Sequence, residues 1–481
     1  MDFLRKLISI MLIMCFVFLL CACEGSGDAR IYFSVENMPE TLDPQVASSD
    51  SELLICRNIY EGLFRKKGKD EIIPAAVEDY DYSGLVYTFK LRDNLKWADG
   101  QPLTADDFVF GIKRALLPET RAPFARLLYA IAGAAELNSG ASVVTPATSS
   151  SLGISAPDDK TIIITLSYDD KNFLNVLSMP IAMPCREDFF ADSTGKYGLE
   201  KDCVLSCGSY YLARWNKENA GIRLYKNDDY TGQFRPKNGG VFISCDKEKT
   251  VSEKLLSEES DIALISSVYL PEISDKENIK TVSVQNICWV LSLGGDFNEN
   301  IRRALCGCIS RDSYGKILPL GFSAANSIFP ECLGDINAFY DLNYDPDGAR
   351  AIIAEEISGF KNKKFPQTTL IFTECEMLRP VITEIVGDWQ KNLSTFINIK
   401  PTDKPLESEL KEHTMPLALF PVKADSTVDE YLYKFGDSYF NGYRLVPIAY
   451  ENTTVAYLGN LSGVNMNATG GYIDFSGIIK N

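Results

Sequence analysis

Carboxylates, thiols and one imidazole are the groups in this chain that could do chemistry. Its 481 residues include 65 Asp and Glu, 13 Cys and a single His. Paired carboxylates act as general acid and base only when held about 5–9 Å apart, and in so acidic a chain such pairs arise by chance in any cleft. Asp99, Asp106 and Asp107 are the most inviting set, but local structure accounts for them. Asp99 precedes Gly100 in a turn, and Asp107 follows Thr104 by three residues, the spacing of a helix cap. His413 stands in KEHTMP with no serine or cysteine motif that points to it. No GxSxG elbow, HExxH helix or Walker loop occurs. These observations predict a protein that is not an enzyme and needs no cofactor. The cysteines beyond residue 23 are Cys56, Cys185, Cys203, Cys207, Cys245, Cys288, Cys306, Cys308, Cys332 and Cys375. Without a CxxC or a second His they do not read as a zinc site. Most read as small buried apolar groups, with one or two disulfides allowed in an extracytoplasmic chain. Cys203 and Cys207 flank the start of the strand after Gly208 and are the pair to watch.

The elements that would carry these groups follow an α/β succession. Tyr87, Phe89 and Leu91 alternate with polar residues, as in a strand with one buried face. Asp99-Gly100 and Pro102 make a turn, Thr104 caps a helix, and Phe108, Ile112, Ala115 and Leu116 line one helical face. Ile31 to Val35 reads as a first strand and Leu53 to Phe64 as a first helix. Val241 to Cys245, Val251 to Ser257 and Asp261 to Ile265 read as strand, helix and strand. Gln285 to Leu293 is a buried strand, and Arg302 to Ile309 and Gly348 to Ile357 are helices. Thr368 to Phe372, Arg379 to Leu393 and Leu417 to Phe420 make a second strand–helix–strand run. Two such successions imply two lobes. The formal charge of −17 argues against a nucleic-acid binder, which would need basic patches.

Several segments resemble, in order, motifs of the oligopeptide/dipeptide-binding class (family 5) of extracytoplasmic solute-binding proteins of ABC importers. YTFKLRDNLKWADGQPLTADDFVFGIKRALL at 87–117 is similar to the family's YTFxLRxGVKWxDGxPLTAxDFVxxxKRAL. MPETLDPQVASSD at 38–50, NIYEGLFR at 58–65, GSYYLARWNKENAGIRLYKNDDYTG at 208–232, FNENIRRALCGCISRDSY at 297–314 and DPDGARAIIAEEI at 345–357 resemble further family blocks. The resemblance implies a type II, two-lobed periplasmic-binding-protein-like α/β fold with an additional small subdomain. Lobe I would comprise residues 24–65, 190–285 and 441–481, an inserted subdomain 66–189, and lobe II 286–440. It also implies a monomeric receptor that binds short peptides between its lobes and passes them to an ABC permease with separate ATPase subunits. The alternatives are a non-peptide cargo such as a metal chelate, or a sensory or structural lipoprotein that has lost transport.

FPVKADSTVDEYLYKF at 420–435 resembles the family segment whose Ala-Asp pair anchors a peptide amine, which makes Asp425 the candidate carboxylate. Val422 and Ser426 replace that segment's Trp and Tyr. Tyr210 and Tyr211 would face opposite sides of their strand, one into the core and one toward the cleft, and Trp289 follows a lobe crossing. These four residues are the expected ligand contacts. At the N-terminus, Arg5 and Lys6 precede a short uncharged apolar run, Leu7 to Leu20. Leu20-Cys21-Ala22-Cys23 then resembles a bacterial lipobox. This predicts a signal peptide over 1–22, lipid on Cys23, a tether of Glu24 to Asp28, and a body held at the extracytoplasmic face of the bacterial cell membrane. A plain signal peptide or an uncleaved anchor is the other reading.

Overall fold

The structure is a computed structural model that describes residues 29–67, 71–140, 152–217, 221–294, 297–333, 342–359, 364–403, 406, 417–424, 442–467, 470 and 472–481. Cys23, His413 and Asp425 lie outside the described residues.

The chain opens with strand β1 (Arg30–Val35) and helix α1 (Asp50–Ile59). Ser49 and Glu52 form a reciprocal capping box at the start of α1. The helix stops at Ile59 rather than running on to Phe64 as its apolar pattern predicts. Beyond it the chain turns the Glu61 carboxylate inward, where it accepts from Arg92 at 3.0 Å and from the Tyr230 hydroxyl at 2.7 Å. Phe64–Lys67 then pairs with Glu71–Pro74 as a hairpin.

The next elements are β2 (Val77–Ser83), β3 (Val86–Leu91), helix α2 (Ala105–Leu116), β4 (Ile154–Asp158) and β5 (Thr161–Thr165). The strands form a four-stranded sheet in the order β2-β3-β5-β4. Tyr87, Phe89 and Leu91 are its buried residues on β3, as the alternation predicts. Asp107 accepts the Thr104 N–H at 2.9 Å and the Trp97 indole N–H at 3.1 Å, so the cap also ties down the preceding turn. Phe108, Ile112, Ala115 and Leu116 are fully buried. On the same helix the Arg114 guanidinium holds the Asp43 carboxylate and the Gln45 amide, both from the loop before α1. Helix and loop are thereby locked inside one core, which runs without interruption from β1 through this sheet and on to residues 461–478.

An eleven-stranded sheet organises the rest. On one side are β1, β6 (Tyr210–Asn216), β7 (Gly221–Lys226), β8 (Gly240–Cys245) and β9 (Ile262–Ile265), with helix α3 (Glu248–Leu256) between β8 and β9. On the other are β10 (Ile279–Leu293), β11 (Phe322–Ala324), β12 (Thr368–Thr373), β13 (Ile397–Thr402), β14 (Leu417–Lys423) and β15 (Leu445–Leu458). Helices α4 (Glu299–Gly307), α5 (Pro346–Ser358) and α6 (Arg379–Leu393) cover this second side. The order is β13-β12-β14-β10-β15-β9-β1-β8-β7-β6, with β11 also on β15.

The two lobes meet in a single ribbon. β10 and β15 pair antiparallel along their length, from Ile279–Leu458 to Ser292–Leu445. One half of the ribbon extends to β9 and lobe I; the other half extends to β14 and lobe II. Register shifts interrupt it between Gln285 and Ile287 and between Trp289 and Val290. In lobe II, Trp289, Leu291 and Leu293 enter one core and Cys288 and Val290 another, on opposite sheet faces. Burial on both faces is why this part of the strand reads as an unbroken apolar run.

All ten described cysteines are free thiols, so the Cys203–Cys207 pairing does not form. Cys207 points into the lobe I core and its sulfur accepts the Glu61 N–H at 3.3 Å. Cys203 sits in a short helical turn whose carbonyl takes the Gly198 N–H. Burial pushes the thiols of Cys56, Cys207 and Cys288 well up, which leaves them unreactive packing groups. Among the described residues no helix is long and apolar enough to cross a membrane, and no cluster of His, Cys, Asp and Glu could hold a metal ion.

Candidate functional site at the lobe junction

In open α/β sheets ligands gather outside the carboxyl ends of the parallel strands. β1 runs parallel to both β8 and β9. Beyond their carboxyl ends Glu36, Glu248 and Ser267 come to the lobe junction. The ribbon delivers Trp289 and Glu451, and β14 delivers Lys423.

Glu451 joins the two lobes. Its carboxylate accepts the Trp289 indole N–H at 2.8 Å and the Ser267 hydroxyl at 2.9 Å, one donor from the ribbon where it enters lobe II and one from lobe I. Burial raises its carboxyl above the usual range, the two hydrogen bonds oppose that, and Glu248 adds to it. Glu36 is raised too, first by burial and then by Glu248. Burial also lifts the Cys375 thiol, with Glu451 and Glu248 adding repulsion. Glu36 and Glu451 thus both lie near Glu248, and a cationic group would relieve the repulsion among these carboxyls.

Lys423 crosses the same gap. Its ammonium lies 2.6 and 2.7 Å from the two carboxylate oxygens of Asp50, the first residue of α1. Half-exposed pairs of this kind contribute about 0–1 kcal/mol, enough to bias two lobes without fixing them. The next residue, Ala424, is tied from both sides: its N–H donates to the Asn286 carbonyl at 2.8 Å, and its carbonyl accepts the Gly470 N–H at 3.0 Å. Asn286 lies in the ribbon's first irregularity and is fully buried. Its side-chain oxygen accepts from the Thr453 hydroxyl at 2.7 Å, while its amide nitrogen has no partner among the described residues. A buried donor without an acceptor costs about 1–3 kcal/mol, and this one sits inside the ribbon, closed off from solvent.

Of the residues expected from sequence, Trp289 borders the junction, nearly buried behind Glu451. Tyr210 and Tyr211 do face opposite ways. Tyr210 is enclosed in the lobe I core with its hydroxyl on Asn238 at 3.0 Å. Tyr211 stands on the outer face of the sheet beside Tyr225. The structure does not bring these three aromatics together. Glu451, Asn286 and the Asp50–Lys423 pair were missed by sequence reasoning; the one local signal was a carboxylate interrupting the apolar run of β15.

The raised Glu451 carboxyl gives a pH dependence with a defined sign. The folded protein holds this proton more tightly than the unfolded chain does. Stability from this group is thus present at acid pH and is lost as pH rises from the unfolded value through the raised folded one. Glu451→Gln, neutral throughout, should lack that loss. Urea unfolding at pH 4.5 and at pH 8 should show a smaller decline for the variant; an identical decline would remove Glu451 as its source.

A family model for bacterial extracellular solute-binding proteins, family 5 (middle region), matches residues 71–443. The chain is 29% identical over 299 residues to the dipeptide-binding protein DppE of Bacillus subtilis, covering 61% of this chain and 54% of that protein. It is 26% identical over 375 residues to the probable deoxycholate-binding periplasmic protein YgiS of Escherichia coli, covering 75% of this chain and 69% of that one. The chain thus spans little more than half the length of the first of these relatives. Among solved structures, Listeria monocytogenes OppA bound to peptide superposes with a TM-score of 0.75 at 20% identity, over 95% of this chain and 99% of that one. The pheromone receptor PrgZ gives 0.74 at 19% identity, over 94% and 100%. These two structural likenesses establish the two-lobed fold. With the family model covering most of its length, the chain belongs to the family 5 bacterial extracellular solute-binding proteins, a family of non-catalytic transport receptors.

Proposed function

We propose that this chain binds short peptides between its lobes and delivers them to an ABC permease driven by separate ATPase subunits. The observation that carries the reading is the junction itself, where one paired ribbon with two breaks in register joins two lobes beside a group of carboxyls. A ligand that touches both sides favours closure only through its greater affinity for the closed state. A peptide offers an ammonium for carboxylates and a repeated backbone of carbonyl oxygens and N–H groups for hydrogen bonds. In this reading Asp425, the residue after the doubly tied Ala424, anchors the α-amine by a charge-assisted bond, Trp289 lines the ribbon side, and Tyr210 is left to packing. Lobe I takes residues 24–65, 190–285 and 441–481, the insert 66–189 and lobe II 286–440. The receptor is a monomer, held outside the membrane by lipid on Cys23.

Titration calorimetry with defined peptide pools, after removal of co-purified ligand by unfolding and refolding, tests this. Reversible binding of peptides with a free amine is expected. Binding of no peptide, with clear binding of another solute, would overturn it. A non-peptide cargo is the second reading. It is favoured by the similarity to the deoxycholate-binding relative and by the loss of two aromatics at Val422 and Ser426.

A further inference from the structure

One face of the lobe I sheet breaks the ordinary pattern of a half-buried sheet. Toward the core, β1, β8, β7 and β6 direct Phe33, Ile243, Leu224 and Leu212. On the opposite face, four aromatic rings form a row across the same four strands. Tyr32 lies 5.4 Å from Phe242, Phe242 6.1 Å from Tyr225, and Tyr225 6.0 Å from Tyr211. Tyr32 is 43% and Tyr211 37% exposed.

Cations lie over this row. The Arg30 guanidinium is 5.3 Å from the Phe242 ring and 5.9 Å from Tyr225, Arg223 is 4.9 Å from Phe242, and the Lys480 ammonium is 5.5 Å from Tyr32. Arg214 stands opposite Arg223 in the strand register. Helix α3 packs over the β9 side of this face, through Val251 and Leu255, and reaches the adjoining part of β1. Beside it remains a groove of about 410 Å³, whose lining includes Tyr32, Arg214, Arg223, Phe242, Ser244 and Lys254. Of the nearby carboxylates, Asp246 is paired with Lys254 at 2.6 Å and Asp261 with Lys480 at 2.8 Å; Glu259 also lines the groove. Arg30, Arg214 and Arg223 form no ion pair among the described residues.

We propose that this aromatic and cationic face of lobe I docks on the headgroup layer of an anionic lipid bilayer. Tyrosine rings, apolar with one polar edge, favour the membrane–water boundary. Guanidinium groups match phosphate with paired hydrogen bonds. A chain of formal net charge −17 is repelled by an anionic leaflet, so only a face of the opposite sign can approach it. The position of the face fits too, resting here on the proposed lipid at Cys23. Arg30 follows that cysteine by seven residues, which span at most about 25 Å when extended. The row therefore begins where the tether would join the fold. One lipid chain holds a protein weakly, and a basic patch is a second signal of the kind that makes anchoring stable.

The test uses the full lipidated protein on vesicles of phosphatidylcholine, with or without roughly a third phosphatidylglycerol. Hydroxyl-radical footprinting read by mass spectrometry then reports each ring. On the anionic vesicles, oxidation of Tyr32, Tyr211 and Phe242 should fall about fivefold and recover in about 0.5 M salt. Tyr80, 40% exposed on the inserted sheet, should not change. Arg30→Glu with Arg223→Glu should abolish the protection. Both residues are exposed, so folding is spared, and circular dichroism checks that. Equal labelling on both vesicle types, equal protection of Tyr80, or protection that survives the charge reversal would overturn the proposal. So would protection seen only in native membranes and never on protein-free vesicles, which would point to an acidic protein instead. If the chain fails to stay on neutral vesicles, the lipid anchor is wrong. Anionic vesicles that still recruit it with the same protected rings would then support the docking face alone.

Discussion

Asp425→Asn should weaken the binding of peptides with a free α-amine by about 2–5 kcal/mol, or roughly 30-fold to several thousandfold in Kd. Asparagine keeps the shape and the hydrogen-bonding capacity and removes only the charge. The size of the loss comes largely from the ammonium, which would be left enclosed without its counter-charge. The surroundings sharpen the effect. Ala424, the residue before Asp425, is held by Asn286 on one side and Gly470 on the other. Glu36 and Glu451 each lie near Glu248, and their mutual repulsion favours an ammonium at the junction. N-acetylated peptides should bind the parent protein poorly and lose far less from the substitution. Calorimetry on the four combinations of protein and peptide gives the coupling directly. Equal parent affinity for free and acetylated peptides would contradict the anchor and shift recognition to backbone contacts or to another cargo.

The second large effect concerns folding. Asp43→Asn should lower the unfolding free energy by about 3–5 kcal/mol, read as a fall in the urea midpoint. Asp43 and Arg114 are 4% and 5% exposed, and one Arg114 nitrogen reaches an Asp43 oxygen at 2.8 Å. The guanidinium also lies over the Phe190 and Tyr197 rings, 4.8 and 5.1 Å from their centroids. Burial opposes the charge on Arg114, and the Asp43 carboxylate more than compensates, raising its proton affinity. Remove the carboxylate's charge and the cation stays buried with neutral partners. Replacing both residues together, with leucine at 43 and methionine at 114, should cost much less than the sum of the two single changes, because apolar pairs often substitute for buried ion pairs. Additive losses would show that the pair is not coupled. Because this core is continuous from β1 through the insert, the loss should appear in one transition shared by both.

The same contrast between local and distant partners decides what was readable in the sequence. The strand, turn and capped helix of residues 86–116 were legible because each signal lies within a few residues of the element it specifies. Helix α6 spans Arg379–Leu393, the boundaries its sequence pattern predicts. Helix α1 was read three residues late at its start and five residues too far at its end, where Glu61 is drawn inward by Arg92 and Tyr230, which lie 31 and 169 residues away in sequence. The Cys203–Cys207 expectation failed for a related reason: spacing says nothing about the direction in which a side chain leaves its turn. Asp425, the proposed anchor, could be singled out from a short motif and lies outside the described residues. Glu451 could not, since its partners are Trp289 and Ser267, 162 and 184 residues earlier. Strand β15 carried little signal as well. Its Glu451-Asn452-Thr453-Thr454 run reads as an end, and it is a crossing only because β10 lies alongside it.

That paired crossing limits how the protein can move. Two separate linkers could slide past each other or swivel. Strands hydrogen-bonded to each other from Ile279 to Ser292 must deform together, as one strip. A strip of this kind resists stretching and in-plane shear and yields by bending and twisting, most readily where its ladder is broken. The breaks at Gln285–Ile287 and Trp289–Val290 are two such weak points, a few residues apart. Opening therefore has few degrees of freedom, and the strip acts as a torsion spring whose rest position is set by its own twist. Part of every ligand's apparent affinity is then mechanical. Stiffening either break would move the affinities of all cargoes in one direction and leave their ranking unchanged.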